Sequence, residues 1–300
     1  MNPVLIARPP GAAATRARGA ALLLVLWLIA LLTALVGAFA LSAQVEGLQG
    51  RVLVRGLAAS NAARAGVEYA ITRLEHPDQQ LQWLPDGRPY TWRYANADIE
   101  VRITDENGKV DLNNAQMPLL TALLRTQEVE QGQAAQLAGA IVDWRDPDLL
   151  TQPSGGAEDR DYASAGRSYG AKDAPFESVA ELQQVLGITP ELYARIQPLV
   201  TVHSRLQQPD PAFAPAPVLD AMGMDGAGLV ERRRRTDPVT GLSPDAGGMA
   251  NRSGTYSIHS RARLFDGRES ALRVVVNSGG NAIPGVAYTT LHWEEGVSAQ

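Results

Sequence analysis

Residues 16–41 read RARGAALLLVLWLIALLTALVGAFAL. Arg16 and Arg18 precede Gly19, and the run of about 22 residues after that glycine carries no charge, which matches the roughly 20 apolar residues that cross a bilayer as a helix. Basic residues on the N-terminal flank mark that side of the membrane as cytoplasmic. We therefore expect residues 20–41 to form a transmembrane helix and the rest of the chain to lie on the other side of the membrane.

This apolar run has three interpretations: a cleavable secretory signal, an uncut signal anchor or a prepilin-type signal. A secretory signal has a shorter apolar core followed by a small-x-small cleavage site, whereas this core is long and continues into further helix-favouring sequence. Arg18-Gly19 directly before the run resembles a type III prepilin signal. That resemblance implies cleavage between Gly19 and Ala20, with the helix retained and a free or N-methylated amine on Ala20.

The composition narrows the class of protein. The chain has 300 residues, a formal net charge of -5 and no cysteine. That length suits one large domain or two small ones, and the weak negative charge predicts no nucleic-acid partner. The absence of cysteine excludes thiol catalysis, disulfides and cysteine-based metal sites. The serine-hydrolase elbow, the P-loop and the His-Glu-x-x-His motif are absent as well, so we do not predict an enzyme.

A long helix is predicted to continue beyond the membrane. From residue 42 to about residue 76, apolar residues recur every three to four positions and form one stripe. His76-Pro77-Asp78 then ends the helix. Residues 90–94 and 98–104 alternate polar and apolar side chains, as half-buried strands do.

The remaining strands are expected in two places. Asn107-Gly108 predicts a hairpin whose returning strand covers residues 109–112. Asp105, Asn107 and Asp111 around this turn offer an alternative, which is a small calcium site. Near the C-terminus, alternation and turn residues predict a three-strand meander in residues 255–264, 271–276 and 288–293.

Residues 117–204 show a helical pattern instead. Ser178 and Glu181 form a capping box, and Thr189-Pro190 opens another helix. This arrangement is similar to the helix-hairpin-helix modules that bind DNA, but Arg195 is its only basic residue, which argues against DNA binding. We expect a compact helical hairpin of SAM-like shape.

Residues 205–254 are rich in Pro, Ala, Gly, Asp and Arg and show no lasting periodicity. This composition predicts a flexible loop. Within it, Arg232–Arg235 is a run of four arginines, which is either solvated or binds an anionic partner.

The densest group of acidic residues lies in the helical region. Six carboxylates fall within 19 residues, in a segment punctuated by prolines and glycines: Asp143, Asp146, Asp148, Glu158, Asp159 and Asp161. Calcium takes six to eight oxygen ligands from flexible loops of this kind, although the spacing is not that of an EF-hand. Two alternatives are a solvated acidic loop, with Arg145 and Arg160 as partners, and a pair of glycosidase carboxylates.

Several motifs, in this order, resemble the K minor pseudopilin family of type II secretion (general secretion pathway protein K). They are the prepilin-like start, DENGKVDLNNA at 105–115, DWRDPD at 143–148, GAEDRDY at 156–162 and AKDAPFESVAEL at 171–182. Most pilin-like proteins carry glutamate as the fifth mature residue. Leu24 stands in that place here, and members of the K family typically lack that glutamate.

The resemblance implies an α+β fold. A pilin-like long N-terminal helix packs on an antiparallel sheet, and a large all-helical, SAM-like domain is inserted between strands. The expected divisions are a prepilin-type leader (1–19), a transmembrane helix (20–41), a pilin-like α+β domain (42–116 and 255–300), an inserted helical domain (117–204) and a flexible loop (205–254).

The resemblance also implies a function. The expected protein is a non-enzymatic subunit at the tip of the type II secretion pseudopilus, assembled with the I and J minor pseudopilins after cleavage by prepilin peptidase. It is expected to cross the bacterial inner membrane once, with most of the chain in the periplasm, and to bind structural calcium in its helical domain. The alternatives are a minor pilin of a type IV pilus and a membrane-anchored periplasmic hydrolase.

Overall fold

The structure, a computed structural model, describes residues 20–235, 252–278 and 287–296. The chain divides into two compact units, one up to Arg55 and one from Gly56 onward. The predicted leader, residues 1–19 with Gly19, lies outside the described residues.

The first helix, α1, runs from Ala20 to Leu74. In the first unit, its segment Ala21–Glu46 has a mean hydropathy of 2.8 and is exposed throughout. The hydroxyl of Thr33 donates to the carbonyl of Ile29 at 2.7 Å, so this polar group is satisfied within the helix, as lipid surroundings require. By length and composition, the segment is suited to cross a membrane.

The second unit contains an antiparallel sheet. In chain order, the strands of this unit are β1 (Asp86–Tyr94), β2 (Ala97–Asp105), β3 (Val110–Asp111), β4 (Val200–Thr201), β5 (Thr255–Leu264), β6 (Glu269–Asn277) and β7 (Thr289–Glu295). The main sheet has the order β1-β2-β5-β6-β7, and every neighbouring pair in it is antiparallel. The predicted strands 90–94 and 98–104 and the predicted C-terminal meander are therefore confirmed.

The C-terminal part of α1 packs on one face of this sheet. Its Ala63 and Val67 are fully buried, together with Ile99 of β2. Small residues let the helix lie close to the strands, since a Cβ added to Gly66 would lie only 2.3 Å from Ser260 Oγ. Burial of apolar surface along this contact is the main stabilising contribution to the layer. The predicted combination of a long helix and an antiparallel sheet is confirmed.

A helical insert leaves the sheet after β2 and rejoins it at β5, although these two strands are neighbours. Its helices are α2 (Met117–Thr126), α3 (Gln131–Arg145), α4 (Asp159–Ser164), α5 (Pro190–Ile196), α6 (Ala216–Ala221) and α7 (Gly226–Arg234), with a 3-10 helix at Val179–Gln184. Leu120, Tyr162 and Leu219 are fully buried in a core that belongs to the insert alone. The SAM-like shape expected for this insert stays a prediction.

Both helix starts predicted in the insert have the expected caps. Ser178 and Glu181 form a capping box, but it opens the 3-10 helix and not an α-helix. The side chain of Thr189 accepts a hydrogen bond from the amide of Leu192 at 3.2 Å and so caps α5.

The predicted hairpin at Asn107-Gly108 is wrong. Glu106–Gly108 form one turn of 3-10 helix, and the side chain of Asp105 caps it by accepting from the Asn107 amide at 2.9 Å. β3 then pairs in parallel with β4 and does not return along β2. Gly108 serves close packing, because an added Cβ would lie 2.6 Å from the backbone carbonyl carbon of Phe213. A distant segment, and not local turn chemistry, decides the direction of the chain here.

The predicted flexible loop at 205–254 is wrong for residues 205–235. This part contains α6 and α7, and Leu219 of α6 is fully buried in the core of the insert. Helices of six to nine residues have too few turns for apolar periodicity to stand out in the sequence. Residues 236–251 of the predicted loop lie outside the described residues.

The run Arg232–Arg235 is not wholly solvated either. Arg233 is buried, and its guanidinium donates to the carbonyl of Ala212 at 2.8 Å. Its own carbonyl accepts from Arg88 at 2.6 Å, and Arg88 pairs with Asp86 of β1 at 2.6 Å. One arginine of the run therefore has a structural role, because it links α7 to β1.

Candidate metal centre

Three of the six predicted carboxylates come together at the C-terminal end of α3. Asp143 lies in the last turn of α3, Asp146 is its C-cap residue and Glu158 precedes α4. One ligand oxygen from each lies within 4.8 Å of those of the other two. Residues three apart share a face of a helix, which explains the first two positions. Glu158 is brought to them by the course of the loop 147–157.

Two glycines allow this loop to close on α3. A Cβ added to Gly139 of α3 would lie 1.7 Å from the carbonyl oxygen of Gly155. A Cβ added to Gly156 would lie 1.9 Å from Asp143 Oδ2. The same oxygen accepts a hydrogen bond from the amide of Ala157 at 2.8 Å. Gly155 and Gly156, which made this segment look like a loop, are thus in close contact with α3.

Burial makes the cluster unusual. Asp143 is 0% and Glu158 is 5% exposed. Asp143 Oδ1, Asp146 Oδ1 and both carboxylate oxygens of Glu158 are buried and have no hydrogen-bond partner among the described residues. A buried acceptor without a donor is costly, and most such groups in folded proteins are paired. These oxygens are therefore available to bind a ligand that is not part of the protein.

A fourth carboxylate, Asp173, belongs to the same surroundings. Its Oδ1 is also buried without a hydrogen-bond partner, and its charge acts on both Glu158 and Asp146. The backbone of Asp173 has a φ of 52°, a left-handed conformation that few residues other than glycine adopt. Sequence reasoning missed this residue, because it lies beyond α4 and outside the acidic segment.

The electrostatics of the cluster are unfavourable without a counter-charge. Burial raises the pKa of Asp143 to about 6, and the neighbouring charge of Asp146 adds to the effect. Burial and then the charges of Asp143, Asp173 and Asp146 raise the pKa of Glu158 to about 7. Burial likewise raises the pKa of Asp146. Like charges held this close disfavour the ionised state, so a bound cation would stabilise the cluster.

The other three predicted ligands do not join this group. Asp148, Asp159 and Asp161 are exposed. Asp148 accepts from the Leu150 amide at 2.8 Å, and Asp161 accepts from the Glu158 amide at 2.9 Å at the start of α4. The solvated-loop interpretation therefore describes these three residues but not the buried Asp143 and Glu158.

Arg145 does not act as the predicted partner of the acidic loop. Its guanidinium donates to the carbonyl of Leu112 and, at 2.6 Å, to that of Ala115. These bonds hold the end of α3 against the segment that follows β3. The charge of Arg145 still acts on Asp146 and partly offsets the rise of its pKa, but the guanidinium hydrogen bonds named above go to backbone carbonyls and not to the acidic loop.

The alternative calcium site at Asp105, Asn107 and Asp111 is already satisfied by the protein. Asp105 accepts from the amides of Asn107 and Ser253 at 2.9 and 3.0 Å. Asp111 accepts from several donors, including the amide of Arg205 at 2.8 Å. These carboxylates tie the sheet to the insert and have no need of a cation.

Comparison with known proteins assigns this part of the chain. Residues 99–205, from β2 through most of the insert, match the family model described as Type II secretion system (T2SS), protein K. In this region the chain is similar to the type II secretion system protein K family. The resemblance found in the sequence motifs is thereby confirmed.

Two relatives named type II secretion system protein K match parts of the chain. The protein from Aeromonas hydrophila is 33% identical over 141 residues, which are 43% of this chain and 42% of the relative. The protein from Klebsiella pneumoniae is 30% identical over 211 residues, which are 62% of each chain. The chain thus spans less than two thirds of the length of either protein K relative.

A solved structure has a similar fold. It is that of the GspK-GspI-GspJ complex from the type 2 secretion system of enterotoxigenic Escherichia coli, with a TM-score of 0.56 and 17% identity. The similarity covers 83% of this chain and 100% of the matched chain. At this identity the likeness supports the fold alone, which is a mixed helix and sheet architecture with an N-terminal helix.

The region that matches protein K contains the whole candidate metal centre, namely Asp143, Asp146, Glu158 and Asp173. The proteins of the protein K family are pseudopilin components of type II secretion, and the family is not an enzyme family. Leu24 lies outside the matched region, in α1, and its side chain is 71% exposed.

Proposed function

We propose that this chain is a non-enzymatic minor pseudopilin that caps the tip of the type II secretion pseudopilus and helps to initiate its assembly for protein export across the outer membrane. The helical insert carries this proposal. The insert leaves and rejoins the sheet at the end where Asp105 pairs with Tyr256. This end lies beside the C-terminus of α1, because Arg252 donates a hydrogen bond to the carbonyl of Leu74 at 3.0 Å. A domain with its own core at this end would obstruct a further subunit stacked above it.

Leu24 supports the same position. With cleavage after Gly19, the amine of Ala20 would lie among packed apolar helices of a fibre, where an unpaired charge is expensive. In pilin-like fibres, the glutamate at the fifth mature position of one subunit offsets the amine of a neighbour. Leu24 cannot form that pair, so the chain fits a place where that neighbour is absent, which is the tip.

The apolar segment Ala21–Glu46 would anchor the chain once in the inner membrane, with the second compact unit in the periplasm. Prepilin peptidase would cut the leader. The similar fold in the GspK-GspI-GspJ complex supports the I and J minor pseudopilins as partners.

We also propose that the metal centre holds a structural calcium ion. Asp143, Asp146, Glu158 and Asp173 would hold it, since their buried oxygens have no other partner, and carboxylate oxygens are the ligands that calcium prefers. Bound calcium would supply the positive charge that these carboxylates lack. The four side chains would then hold the loop 147–157 on α3, so the role of the ion would be to stabilise the insert.

Crosslinking in cells tests the position at the tip. The full chain, expressed with the other pseudopilins and with a photo-crosslinker in the exposed part of the insert, should crosslink at one end of the pseudopilus and copurify stoichiometrically with the I and J partners. The same label at regular intervals along the shaft would contradict the tip assignment and would favour a pilin-like shaft subunit. A hydrolytic activity lost on Asp143→Asn with the fold retained would contradict the non-enzymatic role.

A further inference from the structure

A second site lies away from the metal centre, where the insert covers the outer face of the sheet. It is a partly enclosed cavity of about 380 Å³ within the second compact unit. Strands β2, β5, β6 and β7 contribute one wall, and residues 177–180, Tyr193 and residues 197–200 of the insert contribute the other. A volume of this size lies within the range of about 300–1,000 Å³ that is usual for small-molecule sites.

The sheet wall carries a row of basic side chains. Arg102 of β2, His259 of β5 and Arg273 of β6 are direct cross-strand partners, so their side chains project from the same face, and all three line the cavity. Two guanidinium groups thus flank the imidazole of His259 on this wall. Their positive charge would attract a ligand that carries a negative charge.

His259 occupies the centre of this row. Its Nε2 is buried and has no hydrogen-bond partner among the described residues. Burial and the charges of Arg273, Arg261 and Arg102 lower the pKa of the imidazole. In the tautomer protonated at Nε2, the neutral imidazole offers a hydrogen-bond donor in positively charged surroundings.

Arg273 is held in place at the wall. Its Nη1 donates to Gln197 Oε1 of the insert at 2.7 Å, and Glu294 of β7 lies 3.6 Å away. The side chain of Arg273 is only 28% exposed and is already ordered by these contacts. Ligand binding would therefore cost little additional side-chain entropy. Glu294 offsets part of its charge, and further guanidinium donors remain for an anion.

The acidic residues of the cavity do not cancel this basic character. Glu106 is buried and already pairs with Lys109 at 2.7 Å. Glu177 at the rim is 85% exposed and lies 3.5 Å from Lys172. The rest of the lining is largely apolar and includes Val179, Leu199, Val275 and Leu291.

We propose that this cavity binds an organic carboxylate with an apolar body, the carboxylate lying at His259 and Arg273 and the apolar body lying against Val179 and Val275. The carboxylate would accept hydrogen bonds from the imidazole and the guanidinium, which are stronger when the groups are charged. Two sources offer the same chemistry: a free small acid, and the C-terminal carboxylate of a peptide.

Binding of 4-phenylbutyrate to the full chain, purified in a non-ionic detergent, tests the proposal by titration calorimetry against a micelle-only blank. The uncharged 4-phenylbutanol has the same apolar body and should bind about tenfold more weakly or worse, which is the loss expected for hydrogen bonds to a charged group. Equal affinity for the acid and the alcohol, or no binding of the acid, would overturn the proposal.

Two variants locate the site. Arg273→Gln should weaken 4-phenylbutyrate binding about tenfold or more. The matched control is Arg263→Gln, because Arg263 lies on the same face of the sheet but outside the cavity, and it should bind like the wild type. If Arg273→Gln lowers the melting temperature, Ala180→Trp provides the test of the site. Ala180 is exposed at the rim of the cavity, and the larger tryptophan ring should block entry of the ligand. Unchanged affinity in a folded Ala180→Trp protein would overturn the assignment of the cavity.

Competition separates the two sources. A short peptide ending in phenylalanine, compared with its C-terminal amide, should displace 4-phenylbutyrate if the site accepts a chain terminus. Displacement by the peptide acid alone supports a peptide as the natural ligand. Failure of both peptides, with 4-phenylbutyrate still bound, supports a free small acid.

Discussion

Asp143 Oδ2 accepts a hydrogen bond of 2.8 Å from the backbone amide of Ala157, 14 residues further along the chain. This bond closes the loop 147–157 on α3 and brings the next residue, Glu158, to Asp143 and Asp146. The carboxylate of Asp143 thus has two roles. Its Oδ2 holds the fold of the loop, whereas its Oδ1 is buried without a hydrogen-bond partner among the described residues and is the oxygen that we propose binds calcium.

Gly139→Ala should destabilise the chain by about 1–3 kcal/mol, although alanine is normally the better helix former. The added Cβ would collide with the Gly155 carbonyl and push the loop off α3. Gly132→Ala in the same helix is the control, because the nearest atom to its added Cβ is Glu130 Oε2 at 3.1 Å, at the end of a flexible side chain. Thermal unfolding compares the two. An unchanged melting temperature for Gly139→Ala would show that the loop does not need this close contact.

Calcium should raise the melting temperature of the full chain, with a gain of about 2.7 kcal/mol at 100 times the Kd. Asp143→Asn and Glu158→Gln should remove most of this rise, because each deletes a buried charge of the metal centre. Asp159→Asn should keep the rise, since Asp159 is exposed and outside the group. Asp98→Asn on the sheet serves as a surface control. Identical melting in calcium and in chelator would contradict the calcium proposal.

The calcium-free chain should lose stability as the pH rises from about 4 to about 7. The pKa of Asp143 is raised to about 6 and that of Glu158 to about 7, above the values of about 4 that such groups have in unfolded chains. The folded state therefore holds more protons in this window. These two groups contribute their full stabilisation at a pH below the pKa values of the unfolded chain. That contribution is lost as the pH rises through the pKa values of the folded chain.

Thermal unfolding in chelator across this pH range measures the effect. The Asp143→Asn/Glu158→Gln double variant should show a smaller fall than the wild type, and saturating calcium should abolish the fall in the wild type. Parallel pH profiles for the wild type and the double variant would refute the assignment of the two raised pKa values.

Mass spectrometry of the membrane-extracted chain should find Ala20 at its N-terminus, with or without a methyl group. The reason is that Arg18-Gly19 directly precedes the apolar run. Cells without prepilin peptidase should retain the leader, which provides the control. An N-terminus between residues 40 and 45 would indicate an ordinary secretory signal and would rule out the pseudopilin interpretation.

Leu24→Glu should reduce incorporation of the full chain into the complex with the I and J partners by about tenfold or more, because an unpaired carboxylate in a membrane helix costs ~2 kcal/mol or more. Leu24→Gln introduces a side chain of the same length as glutamate but without its charge, and it should assemble much better than Leu24→Glu. Copurification from membranes measures both. Normal assembly of Leu24→Glu would weaken the link between this position and the tip.

The amino-acid sequence by itself determined the features that depend on near neighbours along the chain. The uncharged run at residues 20–41 predicted a membrane helix, and alternation predicted the strands around 98–104 and 255–264, because burial of one face leaves a short period in the sequence. The cap at Thr189 was equally local, since a side chain two or three residues from an amide can satisfy it.

Only the tertiary structure decided which acidic residues share a site. Asp143 and Asp146 are neighbours on a helix, but Glu158 joins them through loop closure and Asp173 through the packing of a later segment. These contacts depend on the whole insert and leave no spacing in the sequence. The same reason explains the wrong hairpin at Asn107-Gly108, where pairing with β4 replaced a local return strand, since the free energy of a distant contact exceeded a local turn preference.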